Sequence, residues 1–255
     1  MSGQTKGVAR RLRTAKALFR WWIGGDRQGR NRLAALRNVH AGERCFLVGS
    51  GPSLNETDLT QLRSERTFAL NRGYLKFDEL GFPPTFLVCI NGHVLRQFGE
   101  ELSSQNCMKF FSSTQAVGLK QTPEQILLPT IHPTGFARDV TSRGVHEGGT
   151  VTFAALQLAY FMGFEEVILV GIDHRFESGG PANRLVTSSS PDRNHFDPDY
   201  FGPGKQWQLP DLAASEQSYR LARQVFEQDG RQIIDATVGG ALMEFPKRSL
   251  EELFR

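Results

Sequence analysis

The sequence predicts an α/β fold in which a mainly parallel β-sheet is covered by helices on both faces. Short apolar runs without polar alternation recur along the chain, which is typical of strands that are buried on both faces. Helical segments separate these runs, and small or polar residues follow the runs directly. With 255 residues, of which 39% are hydrophobic and 22% charged, the chain is long enough for one large domain with its own core.

The apolar runs define the strands, and glycines mark the ends of the two clearest helices. Gly163 and Gly230 each follow a helical segment, as C-capping glycines do. The stretch 177–192 is rich in Gly, Ser and Pro, and we predict a mobile loop there that extends to about residue 205. Strands are predicted at 44–48, 67–70, 85–90, 109–111, 125–128, 166–170 and 231–234, and helices at 149–162 and 211–229.

The net charge of +3 is the sum of two unlike contributions from different parts of the chain. Residues 1–40 contain ten basic residues and one acidic residue, a charge of +9, and the remaining residues contain 20 basic and 26 acidic ones, a charge of −6. We therefore predict a basic N-terminal arm, 1–40, and a domain, 41–255.

The arm contains an amphipathic helical pattern. Val8, Leu12, Ala15, Phe19 and Trp22 recur at spacings of three and four, and arginines and lysines occupy the remaining positions. Tryptophans beside arginines are typical of a membrane interface, so segment 8–23 is predicted to contact an anionic membrane surface. Packing against the domain, or a solvated terminus, would explain the pattern equally well. Nucleic-acid binding is not predicted, because the domain is acidic and lacks a recognition module.

Cysteine content and hydropathy predict the compartment. Cys45, Cys89 and Cys107 are odd in number and widely spaced, which favours neither a disulfide framework nor a zinc site. No apolar run approaches the roughly 20 residues that cross a bilayer. We expect a cytoplasmic protein, bound peripherally to the inner face of the membrane if the arm binds lipid.

Polar residues follow several predicted strands at the point where each strand ends. Gly49, Ser50, Asn71, Asn91 and Asp173 all lie in such positions. Open α/β sheets bind ligands in the crevice outside the carboxyl ends of their strands. The sequence therefore predicts that these residues share one binding pocket.

The turn Gly49-Ser50-Gly51-Pro52-Ser53 follows the first strand. Ser53 and Glu56 have the spacing of a capping box, so we predict Ser53 as the N-cap of a helix whose N-terminus binds an anion. Gly148 and Gly149 precede another helix and predict a second anion site. The turn matches neither a Walker loop nor a G-x-G-x-x-G motif, and an ordinary strand-to-helix turn would also contain two glycines.

Four segments together resemble a known superfamily. Residues 46–54 (FLVGSGPSL) resemble the G-x-G-P-S-L signature shared by archaeal hydroxymethylpterin pyrophosphokinase-like proteins, motility-associated flagellin glycosyltransferases and bacterial lipooligosaccharide sialyltransferases. Residues 68–74 (FALNRGY), 86–91 (FLVCIN) and 148–173 are similar to further sialyltransferase segments, in the same order. The resemblance spans roughly 44–245 and implies a Rossmann-like fold.

The sialyltransferase resemblance implies a donor, a mechanism and a site. The donor would be a sugar activated by CMP, transferred with inversion to a cell-surface glycan without a required cofactor or metal. His195, at a late-loop position like that of the sialyltransferase base, would be the general base, and Tyr200 would donate to the leaving phosphate. Ser50 replaces an Asn of those enzymes, and their paired tyrosines have no match in 176–192. The implied binding residues are Gly49, Ser50, Gly51, Pro52, Ser53, Asn71, Asn91, Gly148, Gly149 and Asp173.

Without the family resemblance, the residue types around His195 are compatible with more than one role. An unperturbed histidine titrates near pH 6.5, which suits a general base, but His195 could also be an ordinary turn residue. Asp197 and Asp199 mimic a metal-binding Asp-x-Asp, although Pro198 between them is typical of a plain turn, and no metal is predicted.

The leading prediction is a glycosyltransferase of sialyltransferase-like type whose partners are a nucleotide sugar and a glycan acceptor. A diphosphokinase that acts on a pterin-like alcohol with ATP and magnesium is the alternative enzyme. A nucleotide- or glycan-binding protein without turnover is the alternative outside enzymes. The sequence leaves homo-oligomerisation open.

Overall fold

The computed structural model describes residues 15, 16, 18, 19, 21, 22, 27–116, 118–132, 135–177 and 179–255. Its centre is a seven-stranded parallel sheet with the strand order β11-β8-β1-β2-β3-β4-β5. The predicted α/β, Rossmann-like class is confirmed. The strands are β1 (Arg44–Val48), β2 (Arg66–Leu70), β3 (Phe86–Cys89), β4 (Met108–Ser112), β5 (Gln125–Leu128), β6 (Thr130–Ile131), β7 (Val145–His146), β8 (Glu166–Val170), β9 (Leu185–Thr187), β10 (Gln206–Gln208) and β11 (Gln232–Asp235).

The central strands are buried on both faces, as their apolar composition predicts. In β1, Cys45 and Leu47 belong to one hydrophobic cluster, while Phe46 and Val48 belong to the cluster on the opposite face. Side chains alternate between the faces of a strand, so one short apolar run contributes to both cores.

Helices cover the sheet, and their ends follow local capping chemistry. Helix α5 (Val151–Met162) is buried along almost its whole length, and Gly163 ends it in a left-handed conformation with φ of 97°, as predicted. Its N-cap is Thr150, whose side chain accepts a hydrogen bond from the Thr152 N–H group. The helices are α1 (Arg27–Ala35), α2 (Tyr74–Leu80), α3 (Gly92–Ser104), α4 (Val140–Arg143), α5 (Val151–Met162), α6 (Leu212–Gln228) and α7 (Leu250–Leu253).

The turn after β1 differs from the prediction. It leads into a 3₁₀ helix, Pro52–Glu56, whose N-cap is Gly51 and which has no side-chain cap. The Ser53 hydroxyl instead donates to Oδ1 of Asp173 at 2.5 Å, and the Ser53 N–H group donates to Oδ2 at 3.0 Å. The predicted capping role of Ser53 was wrong, because the helix begins one residue earlier and Ser53 lies inside it, where both of its donors bond to the Asp173 carboxylate.

The region predicted as a loop contains a small hairpin. Strands β9 and β10 pair antiparallel, with Trp207 opposite Val186. Trp207 is buried and stacks on Phe201 with the ring centroids 6.0 Å apart. The hairpin lies outside the main sheet and therefore lacks the apolar pattern of the central strands.

The described part of the arm contacts the domain. Leu33 of α1 is fully buried, and Nη2 of Arg32 donates to the Gln125 carbonyl of β5 at 2.8 Å. Trp21 is buried and donates through Nε1 to the Thr141 carbonyl at 2.9 Å. Most of segment 8–23 lies outside the described residues, and the division at residue 40 stays a prediction. None of the described helices combines the length and apolar character needed to span a bilayer.

Candidate functional site

A cavity of about 170 Å³ lies at the carboxyl edge of the sheet, beside the neighbouring strands β1 and β8. From β1 the chain builds the sheet outward to β5, and it then returns to add β8 on the other side of β1. Ligands bind open α/β sheets at such a switch point. The lining comes from 49–51, 70–71, 149–152, 171–176 and 194–195, together with Pro210, Leu212, Ser215 and Tyr219 near the start of α6.

Two glycines allow the turns after β1 and β8 to touch. A Cβ atom on Gly49 would lie 2.4 Å from the Gly171 carbonyl oxygen, and one on Gly51 would lie 2.0 Å from Oδ1 of Asp173. The Gly51 N–H group donates to the Gly171 carbonyl at 2.9 Å. Close backbone approach therefore favours glycine at position 49, while a Cβ atom at position 51 would displace the Asp173 carboxylate.

Asn71 offers the cavity an unpaired hydrogen-bond acceptor. It follows β2, adopts a left-handed backbone with φ of 52° and lines the cavity. Its Oδ1 atom is buried, and no described residue donates a hydrogen bond to it. Because a buried polar atom without a partner costs about 1–3 kcal/mol, this acceptor fits a ligand that brings its own N–H or O–H group.

His195 lines the cavity and is paired with a buried carboxylate. Its Nδ1 atom lies 2.7 Å from Oδ2 of Asp192, and its ring stacks on Tyr200 with the centroids 4.0 Å apart. A carboxylate only accepts hydrogen bonds, so the Nδ1 atom carries the proton and Nε2 of the neutral ring is left to accept one. This is the geometry of an oriented general base.

Asp192 is held by three hydrogen bonds. Besides His195, the backbone N–H groups of Asn194 and Phe201 donate to its carboxylate at 2.8 and 3.1 Å. Burial acts to raise the pKa of Asp192, but the hydrogen bond and charge of His195 and the two N–H groups outweigh burial and lower it. Asp192 is not among the site residues predicted from the sequence. The only signal was its position three residues before His195.

Tyr200 does not reach the cavity. Tyr200 is 1% exposed, and its hydroxyl accepts a hydrogen bond from the backbone N–H group of Arg72 at 3.0 Å. Burial raises its pKa to about 12, against the hydrogen bond of Ser50. The structure places Tyr200 beneath His195 as a stacking partner, where it cannot donate to a phosphate in the cavity.

The other predicted site residues divide into two groups. Gly49, Ser50, Gly51, Asn71, Gly149 and Asp173 line the cavity together with His195, whereas Pro52, Ser53, Asn91 and Gly148 are not in the lining. Oδ1 of Asn91 accepts from the His93 and Val94 N–H groups, so Asn91 is the N-cap of α3. Oδ1 of Asp197 accepts from the Asp199 N–H group at 2.7 Å, so the Asp-Pro-Asp sequence forms a turn.

Two features of the lining were not predicted. Arg175 is exposed and forms no ion pair with any residue that the structure describes, so its guanidinium group is available to an anion. Nε2 of His174 lies 3.1 Å from Oε1 of Glu216 on α6, which forms a second histidine–carboxylate pair at the cavity. The sequence indicates Asp173 and His174 as a possible site pair, with a surface position for His174 as the alternative, whereas the contact with Glu216 was not predicted.

The acidic residues of the lining are few. Among the described residues that line the cavity, Asp173 is the only carboxylate, and both of its oxygens already accept hydrogen bonds from Ser53. Within the described ranges, no group of three His, Cys, Asp or Glu residues is arranged to hold a metal ion. Cys45, Cys89 and Cys107 are buried free thiols, and burial raises the pKa of Cys89 to about 12.

Comparison with known proteins agrees with the superfamily predicted from the motifs. The chain is similar in fold to the MAf glycosyltransferase from Magnetospirillum magneticum AMB-1, with a TM-score of 0.50 and 15% sequence identity over 87% of this chain and 38% of that chain. The chain thus spans little more than a third of that protein, and the similarity shows the fold alone. No curated protein matches the sequence significantly. Residues 28–179 match the family described as MptE-like, 6-hydroxymethylpterin diphosphokinase MptE-like, and because the match covers more than half of the chain, the protein belongs to the MptE-like family.

Proposed function

We propose that the protein is a glycosyltransferase of sialyltransferase-like type, which moves a sugar from a CMP-activated donor to a hydroxyl group of a glycan. The observation that carries this proposal is the His195–Asp192 pair at the cavity beside β1 and β8. A histidine held by a buried carboxylate is suited to remove a proton from an alcohol at neutral pH.

The nucleotide would lie over the turn after β1. Oδ1 of Asn71 would accept a hydrogen bond from the cytosine amine or a ribose hydroxyl, which would satisfy its missing partner. The phosphate would lie near Arg175 and the start of α5, where backbone N–H groups and the helix dipole favour negative charge. The cavity of about 170 Å³ is smaller than the ~300 Å³ typical of complete small-molecule sites, so the sugar would extend through its opening.

The proposed reaction is an inverting displacement. Nε2 of His195 takes the proton from the acceptor hydroxyl while the oxygen attacks the anomeric carbon of the donor. The bond from that carbon to the phosphate oxygen breaks, and CMP leaves with the electron pair. Arg175 and the N–H groups at the start of α5 stabilise the charge that develops on the leaving phosphate.

The family description favours a second candidate, a diphosphokinase that transfers diphosphate from ATP to a pterin-like alcohol. Magnesium in such sites is held by carboxylates together with substrate phosphates. In this cavity Asp173 is already bonded to Ser53, and the residue that follows β2 is Asn71, whose side chain is a neutral amide. The lack of a free carboxylate among the described lining residues supports the nucleotide-sugar proposal over the magnesium-dependent one.

Thermal-shift titration with CMP and with ATP, each with and without magnesium, separates the two candidates. We expect CMP to raise the thermal midpoint by about 5–10 °C at a hundredfold excess over its Kd, independently of magnesium. Stabilisation by ATP and magnesium alone would reject the glycosyltransferase proposal and favour the diphosphokinase.

Two asparagine variants test whether CMP binds at the proposed position in the cavity. Asn71→Gly keeps the left-handed backbone and removes the amide, so CMP binding should weaken about tenfold. Asn91→Ala removes the cap of α3 and should cost about 1 kcal/mol of stability without changing the affinity for CMP. Equal effects of the two variants on CMP affinity would contradict the proposed position of the nucleotide.

We further propose that the protein acts in the cytoplasm at the inner face of the membrane and binds it through the arm. Phe19 and Trp22 of the predicted apolar stripe are 62% and 56% exposed, while Trp21 beside them is buried. Exposed aromatic side chains in a segment rich in arginine suit an anionic lipid surface, where each basic group contributes about 1 kcal/mol.

Substitution tests the membrane proposal more cleanly than deletion of residues 1–40, because deletion would also remove the buried Leu33. The double variant Phe19→Ser/Trp22→Ser should lose most of its binding to phosphatidylglycerol vesicles in a flotation assay. Met243→Ser, which removes another exposed apolar side chain, is the matched control. Unchanged vesicle binding by the double variant would reject the proposal.

A further inference from the structure

A second cavity, of about 460 Å³, lies against the β9–β10 hairpin. It adjoins the first cavity, because Asn194 lines both of them. Asp192 lines the second cavity while its carboxylate bonds to His195, which lines the first. The segment that carries the proposed base is therefore the wall between the two cavities.

The second cavity presents hydroxyl groups and an aromatic ring. Thr187, Ser189 and Ser190 are exposed and contribute hydroxyls, each of which both donates and accepts hydrogen bonds. Trp207 contributes an indole that is 8% exposed and is fixed by its stacking on Phe201. Interchangeable donors and acceptors beside a rigid aromatic ring suit a polyhydroxylated ligand such as a saccharide.

The charges of the lining favour an acidic ligand. Asp192 is buried and committed to His195, and Glu177 pairs with Arg193 at 4.0 Å where both side chains are largely exposed. Arg184 is exposed, and the hydrogen bond given for its guanidinium group goes from Nη2 to the neutral Gly179 carbonyl at 3.2 Å. Its charge is not balanced by a carboxylate among the described residues, so a carboxylate or phosphate of the ligand would find a partner there.

We propose that the second cavity is the acceptor site and that it takes a glycan that bears an acidic group. This proposal rests on the glycosyltransferase function, and it deepens that function by naming the acceptor class. The donor would occupy the first cavity, and the acceptor hydroxyl would reach His195 past Asn194.

Saccharide binding tests the acceptor site without requiring turnover. NMR titrations of the 255-residue chain would use lactose as a neutral probe and sialyllactose as an acidic one, each with and without CMP. We expect sialyllactose to bind about tenfold more tightly than lactose, because the acidic group gains a charge-assisted hydrogen bond. Arg184→Gln should abolish that preference, and Arg193→Gln should reduce it.

Arg223→Gln is the matched control, since Arg223 is an exposed arginine on α6 that lines neither cavity. The proposal is overturned if neither saccharide binds, if the two bind equally, or if Arg184→Gln keeps the preference while its thermal midpoint matches that of the wild type. CMP binding is measured in the same samples and reports on the proposed function separately. Sialyllactose binding without CMP binding would reject the donor and leave the acidic-saccharide site standing.

Discussion

Two histidine–carboxylate pairs border the same cavity, and they differ in how firmly the carboxylate is held. The Asp192 side chain is 4% exposed, whereas that of Glu216 on α6 is 38% exposed. Asp192 also accepts hydrogen bonds from two backbone N–H groups. A shielded, multiply bonded carboxylate orients its histidine, while an exposed one is screened and can release its partner.

The aromatic contacts also hold His195 more firmly than His174. His195 stacks face to face on the buried Tyr200, with an interplanar angle of 4°. His174 makes an edge contact with Tyr219 at 6.2 Å, and its own backbone is left-handed, with φ of 53°. Preorganisation therefore favours His195 as the base, and the variants below can break this assignment.

The largest effect is expected from His195→Ala. Loss of a general base lowers turnover by about 10²–10⁴-fold, so transfer from a CMP-activated sugar should fall by that factor. The thermal midpoint and the affinity for CMP show whether the variant is folded. If a folded variant keeps its transfer rate, His195 is not the base and the comparison of the two pairs loses its functional meaning.

Asp192→Asn should give the second-largest effect. An amide at this position can hold the imidazole in the wrong tautomer, which costs up to about 10⁴-fold in the Ser-His-Asp triad of the serine proteases. Here we expect about a hundredfold loss of kcat with little change in the KM for the donor. A proportionate rise of the donor KM would indicate instead that Asp192 shapes the nucleotide site.

Most of the sheet could be predicted because a strand that is buried on both faces has a continuous apolar run in the sequence. The runs 44–48, 125–128 and 166–170 coincide with β1, β5 and β8, and the others differ by one residue at one or both ends. Strand β9 has no such run, since Leu185–Thr187 is largely exposed and its partner strand, β10, begins at Gln206.

The site could be predicted only in part, because a strand end does not reveal which strand is its neighbour. Asn71 and Asn91 each directly follow a predicted strand, yet of the two only Asn71 lines the cavity. Strand β2 is next to β1 and the switch point, while β3 lies one strand farther away. The Asp192–His195 pair escaped prediction because it depends on the irregular path of a loop, which has no sequence period.

The pH dependence of stability provides a further test of the buried pair. The pKa of Asp192 is lowered on folding, so its ionised form stabilises the fold above the unfolded pKa of about 3.9, and this contribution is lost as pH falls through the lower folded pKa. The free energies of urea unfolding of wild type and Asp192→Asn should therefore differ by a constant amount above about pH 4 and converge as the pH falls below that value. A difference that stays constant well below pH 4 would contradict the ionic role of Asp192.

The smallest effect is expected from Glu216→Gln, which is the matched change in the other pair. Glu216 does not line the cavity, and its contact with His174 is partly exposed to solvent. An exposed ion pair contributes about 0–1 kcal/mol, so transfer should stay within about threefold of the wild type in the assay used for Asp192→Asn. A loss as large as that of Asp192→Asn would make the two pairs equivalent. His174 would then be a second candidate base, and preorganisation by burial would not be what distinguishes them.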